Sequence, residues 1–208
     1  MLALIPALLL AQATHYAIDP AQTELIALTA PAGLFAGASH PHVIVARKVQ
    51  GEVVYDPAAA EASSVTLQFP ADALENDEPA QRKRFGFATN PSEGDRKTIA
   101  ANLRSEGQLD VKKYPTVTFA SKKVRRVDAE RLEVTGTMTL RGVPVELLLP
   151  VKVSVKDGVL RGEGSIGITH AMFGFKPFTA ALGTIRNAEE ISLKLTIVGR
   201  AQPPDGGS

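Results

Sequence analysis

The chain contains no cysteine and no tryptophan. The lack of cysteine excludes disulfides, thiolate metal ligands, cysteine nucleophiles and a lipidated N-terminal cysteine. Aromatic residues make up only 5% of the 208 residues, and the formal net charge is +1. Such a small net charge creates no protein-wide field that would attract nucleic acid or an anionic membrane. The remaining composition, 44% hydrophobic and 22% charged, is that of an ordinary globular protein.

Sequence motifs of the common enzyme classes are also absent. The chain has no Gly-x-Ser-x-Gly nucleophile elbow, no phosphate-binding loop and no His-Glu-x-x-His zinc motif. Its carboxylates have no spacing that would pair two of them for acid–base chemistry. The sequence therefore predicts a protein that is not an enzyme and that needs no cofactor. The basic cluster at 122–131 lacks stacking aromatic residues, so we expect a solvated strand edge and no nucleic-acid partner.

The N-terminal segment, residues 1–13, is apolar throughout and reads MLALIPALLLAQA. It is too short for a helix that spans a bilayer, which needs about 20 residues. It ends in Ala-Gln-Ala, the small-x-small pattern that signal peptidase recognises. We therefore expect a signal peptide, a mature chain that starts at Thr14, and a periplasmic or secreted location. A buried first strand or a misplaced start codon is the alternative.

Beyond Thr14, apolar and polar residues alternate along most of the chain. In the segment LEVTGTMTL, for example, Leu132, Val134 and Met138 share one face while the threonines share the other. A period of two is typical of β-strands that bury one face and expose the other. Runs of this kind cover about 23–30, 42–55, 64–69, 116–127, 132–140, 145–155, 159–169 and 191–197.

Three segments depart from this alternation. Residues 92–107 have Ser92 or Asp95 as a helix N-cap, apolar residues at helical spacing and Gly107 as a stop, which predicts one short amphipathic helix. Residues 75–84, ENDEPAQRKR, are dense in charge, and we expect a solvated loop there. Residues 201–208 end in Pro-Pro-Asp-Gly-Gly-Ser and predict a disordered tail.

The predicted fold is therefore mainly β, with about eight antiparallel strands in a single domain that covers 14–200. A sandwich or a closed barrel would hide the apolar faces of these strands. The interior of an eight-stranded barrel can be filled by side chains or can hold one small ligand. Periodicity does not decide between the two, but the scarcity of aromatic side chains favours a hollow interior.

Five segments of the chain, taken in order, resemble one family. They are HYAIDP at 15–20, FAGASHPHVIVARKVQGEVVYDP at 35–57, LDVKKYPTVTFASKKV at 109–124, VTGTMTLRGVPVELLLPVKV at 134–153 and FGFKPFTAALGTI at 173–185. Together they resemble the YceI-like family, which comprises exported lipocalin-like barrels associated with polyisoprenoid binding. This resemblance implies an antiparallel lipocalin-like barrel whose apolar lumen takes a long prenyl chain or another amphiphile, with the helix near one end.

Two groups of residues are candidates for the wall of such a lumen. The first group faces inward by strand alternation and comprises Phe119, Met138, Leu140, Leu147 and Leu149. The second group belongs to the segment HAMFGFKPFTAALG and comprises Met172, Phe173, Phe175 and Phe178. These four residues either line and gate the lumen or form a hydrophobic plug at one barrel end. Lys176 lies among them and is a candidate contact for an anionic headgroup.

His40 and His42 are separated by one proline, so their imidazoles point the same way from an extended backbone. A zinc site needs three or four ligands. Without cysteine, His15 and His170 are the other imidazoles that could complete it. We therefore predict no metal site and expect His40 and His42 to contact backbone groups or a ligand headgroup near the barrel rim.

These observations predict an exported protein that holds a long-chain isoprenoid or another lipid non-covalently in a barrel lumen. The alternative is a filled barrel that acts as an envelope stress or interaction module without a ligand. Neither hypothesis requires a stable membrane span, and a homodimer remains an open alternative to a monomer.

Overall fold

The computed structural model describes residues 13–33, 40–180 and 184–203. In these parts of the chain the dominant element is the antiparallel strand. The strands are β1 (Thr14–Ile18), β2 (Glu24–Ala32), β3 (His42–Ala46), β4 (Gln50–Tyr55), β5 (Ser64–Pro70), β6 (Leu74–Asn76), β7 (Thr116–Arg126), β8 (Arg131–Leu140), β9 (Val143–Lys156), β10 (Val159–Thr169), β11 (Thr179–Ala180) and β12 (Ile185–Ala201). Two helices, α1 (Pro79–Arg84) and α2 (Glu93–Arg104), lie between β6 and β7.

The sheet closes on itself. Its neighbours run in the order β1, β4, β5, β7, β8, β9, β10, β12, and β12 pairs again with β1, which gives a closed ring of 8 strands. The closing seam is short and runs from Tyr16 opposite Ala201 to Ile18 opposite Gly199. The rest of β12 pairs with β2, which continues through β3 to β6. The predicted antiparallel β-barrel is confirmed.

Two tight turns connect the long strands of the barrel. Arg141 and Gly142 join β8 to β9 with φ angles of 53° and 72°, and Asp157 and Gly158 join β9 to β10 with φ angles of 51° and 73°. Two consecutive positive φ angles are the mark of a type I′ turn, which matches the twist of paired strands. These turns fix the register of β8, β9 and β10, and therefore decide which side chains point inward.

The helix predicted at 92–107 is confirmed as α2. Ser92 is its N-cap, and its hydroxyl accepts a hydrogen bond from the main-chain N–H of Asp95 at 3.1 Å. The Asp95 carboxylate in turn accepts from the Ser92 main-chain N–H at 3.2 Å, which completes a capping box. The helix ends at Arg104, whose guanidinium donates to the carbonyls of Asp72 and Leu74 and so ties α2 to β6.

The prediction of a solvated loop at 75–84 is wrong. This segment contains the end of β6 and the whole of α1, and its Asp77 and Arg82 side chains are fully buried against each other. The phenylalanines that follow α1 pack over the outer face of β3, where Val43 and Val45 are buried. Asp77 and Arg82 therefore belong to the interior between α1 and the barrel wall, while Glu75, Lys83 and Arg84 are exposed.

The predicted signal peptide lies outside the described residues, except for Ala13. Most of the predicted tail, 204–208, also lies outside them, and β12 runs one residue past the predicted domain boundary at 200. Among the described residues, no helix is long and apolar enough to cross a membrane.

Candidate functional site

The interior of the barrel contains a cavity of about 280 Å³. This volume is close to the lower end of the range of roughly 300–1,000 Å³ that is usual for small-molecule sites. Its wall is built from the inward faces of β2, β3, β4, β5, β7, β8, β9, β10 and β12, and is predominantly apolar. The barrel is therefore not filled by its own side chains.

Six of the nine predicted lumen residues lie on the wall of this cavity, namely Phe119, Met138, Leu140, Leu147, Leu149 and Phe175. Phe119 and Met138 are paired across β7 and β8. Both are only half-buried although they face inward, because part of their surface borders the cavity. That any of these six residues contacts a ligand stays a prediction.

The other three predicted lumen residues do not line the cavity. The chain leaves β10 at Thr169 and forms a 3-10 turn at Ala171–Phe173, which ends the inward–outward alternation. Met172 is 39% exposed, and its sulfur accepts a hydrogen bond from the Thr169 N–H at 3.4 Å. Phe173 is buried in the core, and Phe178 is half-buried, with its carbonyl bound by the Asn187 N–H. The residues predicted to gate or plug the lumen therefore lie apart: Met172 is on the surface, Phe173 is in the core and Phe175 is on the cavity wall.

The two ends of the cavity differ in chemistry. At one end Tyr16 and Tyr55 are buried in an apolar cluster around Ala60, and the wall there also includes Ser63 and Ser64. The Ser63 hydroxyl already accepts a hydrogen bond from the Asp56 N–H. At the other end, where β10 stops and β12 begins, the wall includes His170 and Gln108. Polar groups that could meet the headgroup of an amphiphile are thus available at the His170 end.

His170 is held firmly at that end. Its side chain is buried, at 4% exposure, and its Nδ1 lies 2.8 Å from the main-chain carbonyl of Glu189. Its own main-chain N–H donates to the same carbonyl, and its carbonyl accepts from the N–H groups of Phe173 and Phe175. The Phe175 ring packs edge-on against the imidazole at 5.1 Å between centroids. These contacts leave the ring a single orientation.

His40 and His42 lie away from the cavity wall. Their rings pack edge to face with centroids 4.9 Å apart, at the start of β3. His42 Nδ1 is 2.7 Å from Asp77 Oδ2, while Asp77 Oδ1 accepts from the Val43 N–H at 3.1 Å and from Arg82 Nη1 at 2.7 Å. The predicted contact of these rings to backbone groups is not observed, since His42 bonds the Asp77 carboxylate and His40 Nε2 has no hydrogen-bond partner among the described residues. A contact to a ligand headgroup stays a prediction that their position does not support.

Arg82 is the centre of this network, and its side chain has no exposed surface. Its Nε donates to the Thr89 carbonyl at 2.7 Å, and its Nη1 donates to the Pro41 carbonyl at 2.6 Å. The guanidinium also lies over the Phe87 ring, 5.2 Å from its centroid. A buried charge is tolerated only when it is paired and hydrogen-bonded. Nε and Nη1 of Arg82 meet this condition and join α1, the segment after it and the start of β3, whereas Nη2 has no hydrogen-bond partner among the residues that the structure describes.

The charges of this cluster change the protonation of its members. Burial alone would raise the pKa of Asp77, but hydrogen bonds from His42 and Arg82 and the positive charge beside it outweigh burial and hold its pKa below the ordinary value. Burial lowers the pKa of His40, and the charges of His42 and Arg82 lower it further. Asp77 is therefore ionised at neutral pH and His40 is neutral, which suits a structural ion pair.

The described residues assemble no metal site, and Lys176 lies apart from the cavity. Across residues 13–33, 40–180 and 184–203, no three His, Asp or Glu side chains come together as metal ligands would. Lys176 is exposed and is absent from the cavity wall, although its carbonyl accepts a hydrogen bond from the Gln108 side chain at 3.1 Å. Its position therefore gives no support to a headgroup contact.

Sequence reasoning did not identify His170 and Gln108 as wall residues. Each is a single polar residue in an irregular segment, where no periodicity tells which way a side chain points. A weak signal for His170 was its position directly after a strand and before an aromatic segment. Asp77 and Arg82 were also missed, since a dense run of charges ordinarily indicates solvent exposure.

Comparisons with known proteins agree with this architecture. The family model of the YceI-like domain matches residues 16–198. A UPF0312 protein of Enterobacter sp. (strain 638) is 42% identical over 65 residues, which cover 31% of this chain and 31% of the relative. Protein YceI of Escherichia coli O157:H7 is 38% identical over 65 residues, again 31% of each chain. The alignments thus span about a third of the length of these curated relatives.

Solved structures show the same fold. BcnA of Burkholderia cenocepacia superimposes with a TM-score of 0.66 at 18% identity, over 87% of this chain and 98% of that one. The YCEI protein of Campylobacter jejuni superimposes with a TM-score of 0.57 at 20% identity, over 77% of this chain and 85% of that one. Because the family model covers nearly the whole barrel, from within β1 to Val198 near the end of β12, the chain belongs to the YceI-like family.

Proposed function

We propose that this protein binds a long-chain isoprenoid, or a similar amphiphile, non-covalently inside its barrel. The observation that carries the proposal is the apolar cavity of about 280 Å³ lined by the strands. The YceI-like family, to which the chain belongs, is associated with polyisoprenoid binding and is generally non-enzymatic. The cavity also favours this function over a filled barrel that acts without a ligand.

The wall composition indicates how such a ligand is held. Leucine, valine, methionine and phenylalanine side chains offer dispersion contacts and no fixed polar pattern along most of the cavity. Burial of one methylene contributes roughly 0.8 kcal/mol, while association costs on the order of 4–15 kcal/mol. Ten buried carbons would contribute about 8 kcal/mol, which this cost can cancel. Thirty would contribute about 24 kcal/mol and leave a favourable balance. Longer chains are therefore expected to bind more tightly, up to the length that the cavity of about 280 Å³ accommodates.

Delivery or storage of the lipid outside the cytoplasm, after removal of residues 1–13, completes the proposal. An apolar chain enclosed in protein can cross an aqueous compartment that it could not cross alone. The N-terminal sequence supports this location through its apolar run and the Ala-Gln-Ala pattern.

Native mass spectrometry of protein purified from its own host tests the proposal. A retained lipid that dissociates on activation, and whose mass corresponds to a long apolar chain, is the expected result. After removal of the lipid, titration with prenols of increasing length is expected to give affinity that rises with length. Host-purified protein without lipid, combined with equal and negligible affinity for all prenols, would refute the proposal.

A further inference from the structure

The orientation of His170 fixes which of its ring nitrogens carries a proton. A carbonyl oxygen can only accept a hydrogen bond, so Nδ1, 2.8 Å from the Glu189 carbonyl, must be the donor. In the neutral imidazole the other nitrogen, Nε2, is then an acceptor. Nε2 forms no hydrogen bond with any residue that the structure describes. His170 lines the cavity, and Nε2 is its ring nitrogen without a hydrogen bond to the described residues.

Gln108 presents the same chemistry. Its side-chain nitrogen donates to the carbonyl of Gly107 at 3.0 Å and to the carbonyl of Lys176 at 3.1 Å. Both amide hydrogens are thereby used, which leaves the amide oxygen as the free polar atom of a residue on the cavity wall. Two wall residues at the same end of the barrel therefore offer hydrogen-bond acceptors.

The scarcity of charged residues on the cavity wall argues for a neutral headgroup. Among the wall residues that the structure describes, Lys194 is the one with a formal charge, and it is exposed, between the inward-facing Leu193 and Leu195. An anionic headgroup drawn into the cavity would lose its hydration without gaining a buried cation, which is strongly unfavourable. A quinone or ester headgroup, which has acceptors only, would face the acceptors of His170 and Gln108 without a proton to share.

We propose that the His170 end of the cavity binds a neutral headgroup that donates a hydrogen bond, and that His170 Nε2 accepts it. The ligand class this geometry fits is a long-chain alcohol, such as a prenol, with its hydroxyl at His170 and its chain directed toward Tyr55. This inference rests on the proposed function and adds the chemistry of the headgroup to it.

Solanesol and its methyl ether form a matched pair of ligands for the test, because the ether keeps the oxygen and the chain but loses the donor. The wild-type protein is expected to bind solanesol about tenfold more tightly than the ether, which corresponds to about 1.4 kcal/mol. In His170→Phe this preference is expected to disappear through weaker binding of the alcohol, while the ether binds as before. His15→Phe, a substitution of an exposed histidine on β1, serves as the control and retains the tenfold preference.

The ring nitrogen can also be observed directly, in case His170→Phe does not fold. In wild-type protein labelled with ¹⁵N-histidine, solanesol is expected to shift the Nε2 resonance of His170, whereas the methyl ether is expected to leave it unchanged. Equal affinity for the two ligands, or no shift with solanesol, would overturn the headgroup inference while lipid binding stands. Failure of both ligands to bind would overturn the proposed function itself.

Discussion

Leu147→Trp is the sharpest test of whether the barrel works as a container. Leu147 lies on β9 opposite Gly136, is 5% exposed and lines the cavity. Its neighbour Leu148 points to the other face of the sheet and is 53% exposed. The same substitution at these two adjacent positions therefore places an indole either inside the cavity or in solvent.

The expected changes in stability and in ligand affinity follow from the space available in the cavity. In a filled core, the larger side chain would cost about 1–3 kcal/mol of stability through overpacking. Here the cavity of about 280 Å³ can receive the indole, so we expect a loss of stability of less than about 1 kcal/mol, below the overpacking range. The indole would instead take the place of about three methylenes of ligand, or about 2.4 kcal/mol at roughly 0.8 kcal/mol each. That loss corresponds to binding that is about 50-fold weaker.

Urea unfolding and solanesol titration of the two variants measure both quantities. Leu148→Trp is expected to match the wild type in affinity and in free energy of unfolding. If Leu147→Trp lost 3 kcal/mol or more of stability, or if it bound solanesol as tightly as Leu148→Trp does, the reasoning from a hollow interior would be refuted.

The remaining predictions concern stability. Asp77→Asn leaves the buried Arg82 without a counter-charge, so the free energy of unfolding is expected to fall by about 3–5 kcal/mol in urea titrations at pH 7; a loss below 1 kcal/mol would contradict the assigned role. Because the pKa of Asp77 is lowered by folding, its contribution is complete above the ordinary aspartate pKa of about 3.9 and is lost as the pH falls further. The difference between wild type and variant should therefore be constant from pH 7 to near 4 and shrink below it, and a difference that stays constant at lower pH would refute this linkage. A Cβ at Gly136 would lie 2.4 Å from Cζ of Phe119; Gly136→Ala is expected to lower the thermal midpoint, whereas Gly94→Ala, with no atom nearer than 3.7 Å, should not, and equal midpoints would contradict the close packing.

The barrel could be predicted from the sequence because the inward–outward alternation of a strand is a local property. Leu147 and Leu148 illustrate this, since their opposite environments follow directly from their neighbouring positions. The turns at 141–142 and 157–158 are also predictable from sequence, because glycine in the second position of a two-residue turn is a local signal. The wall residues on β7, β8 and β9 followed from these two rules.

The parts that could not be predicted depend on partners that are distant in sequence. Arg82 is buried because the carbonyls of Pro41 and Thr89 and the carboxylate of Asp77 accept hydrogen bonds from its Nε and Nη1. No pattern within residues 75–84 indicates those partners. The composition of the segment therefore predicts a solvated loop. Met172 was misplaced for the converse reason, since the 3-10 turn after β10 abolishes the alternation on which an inward assignment depends.

The pairing of β1 with β12 determines when the barrel can close during synthesis and folding of the chain. Tyr16 must meet Ala201 before the ring is complete, so a ribosome has to release almost the entire polypeptide before any enclosed volume exists. Pairing between such remote positions is slow to form. The interior is therefore complete only in the finished molecule, and a chain truncated before its last strand would be a sheet with open edges.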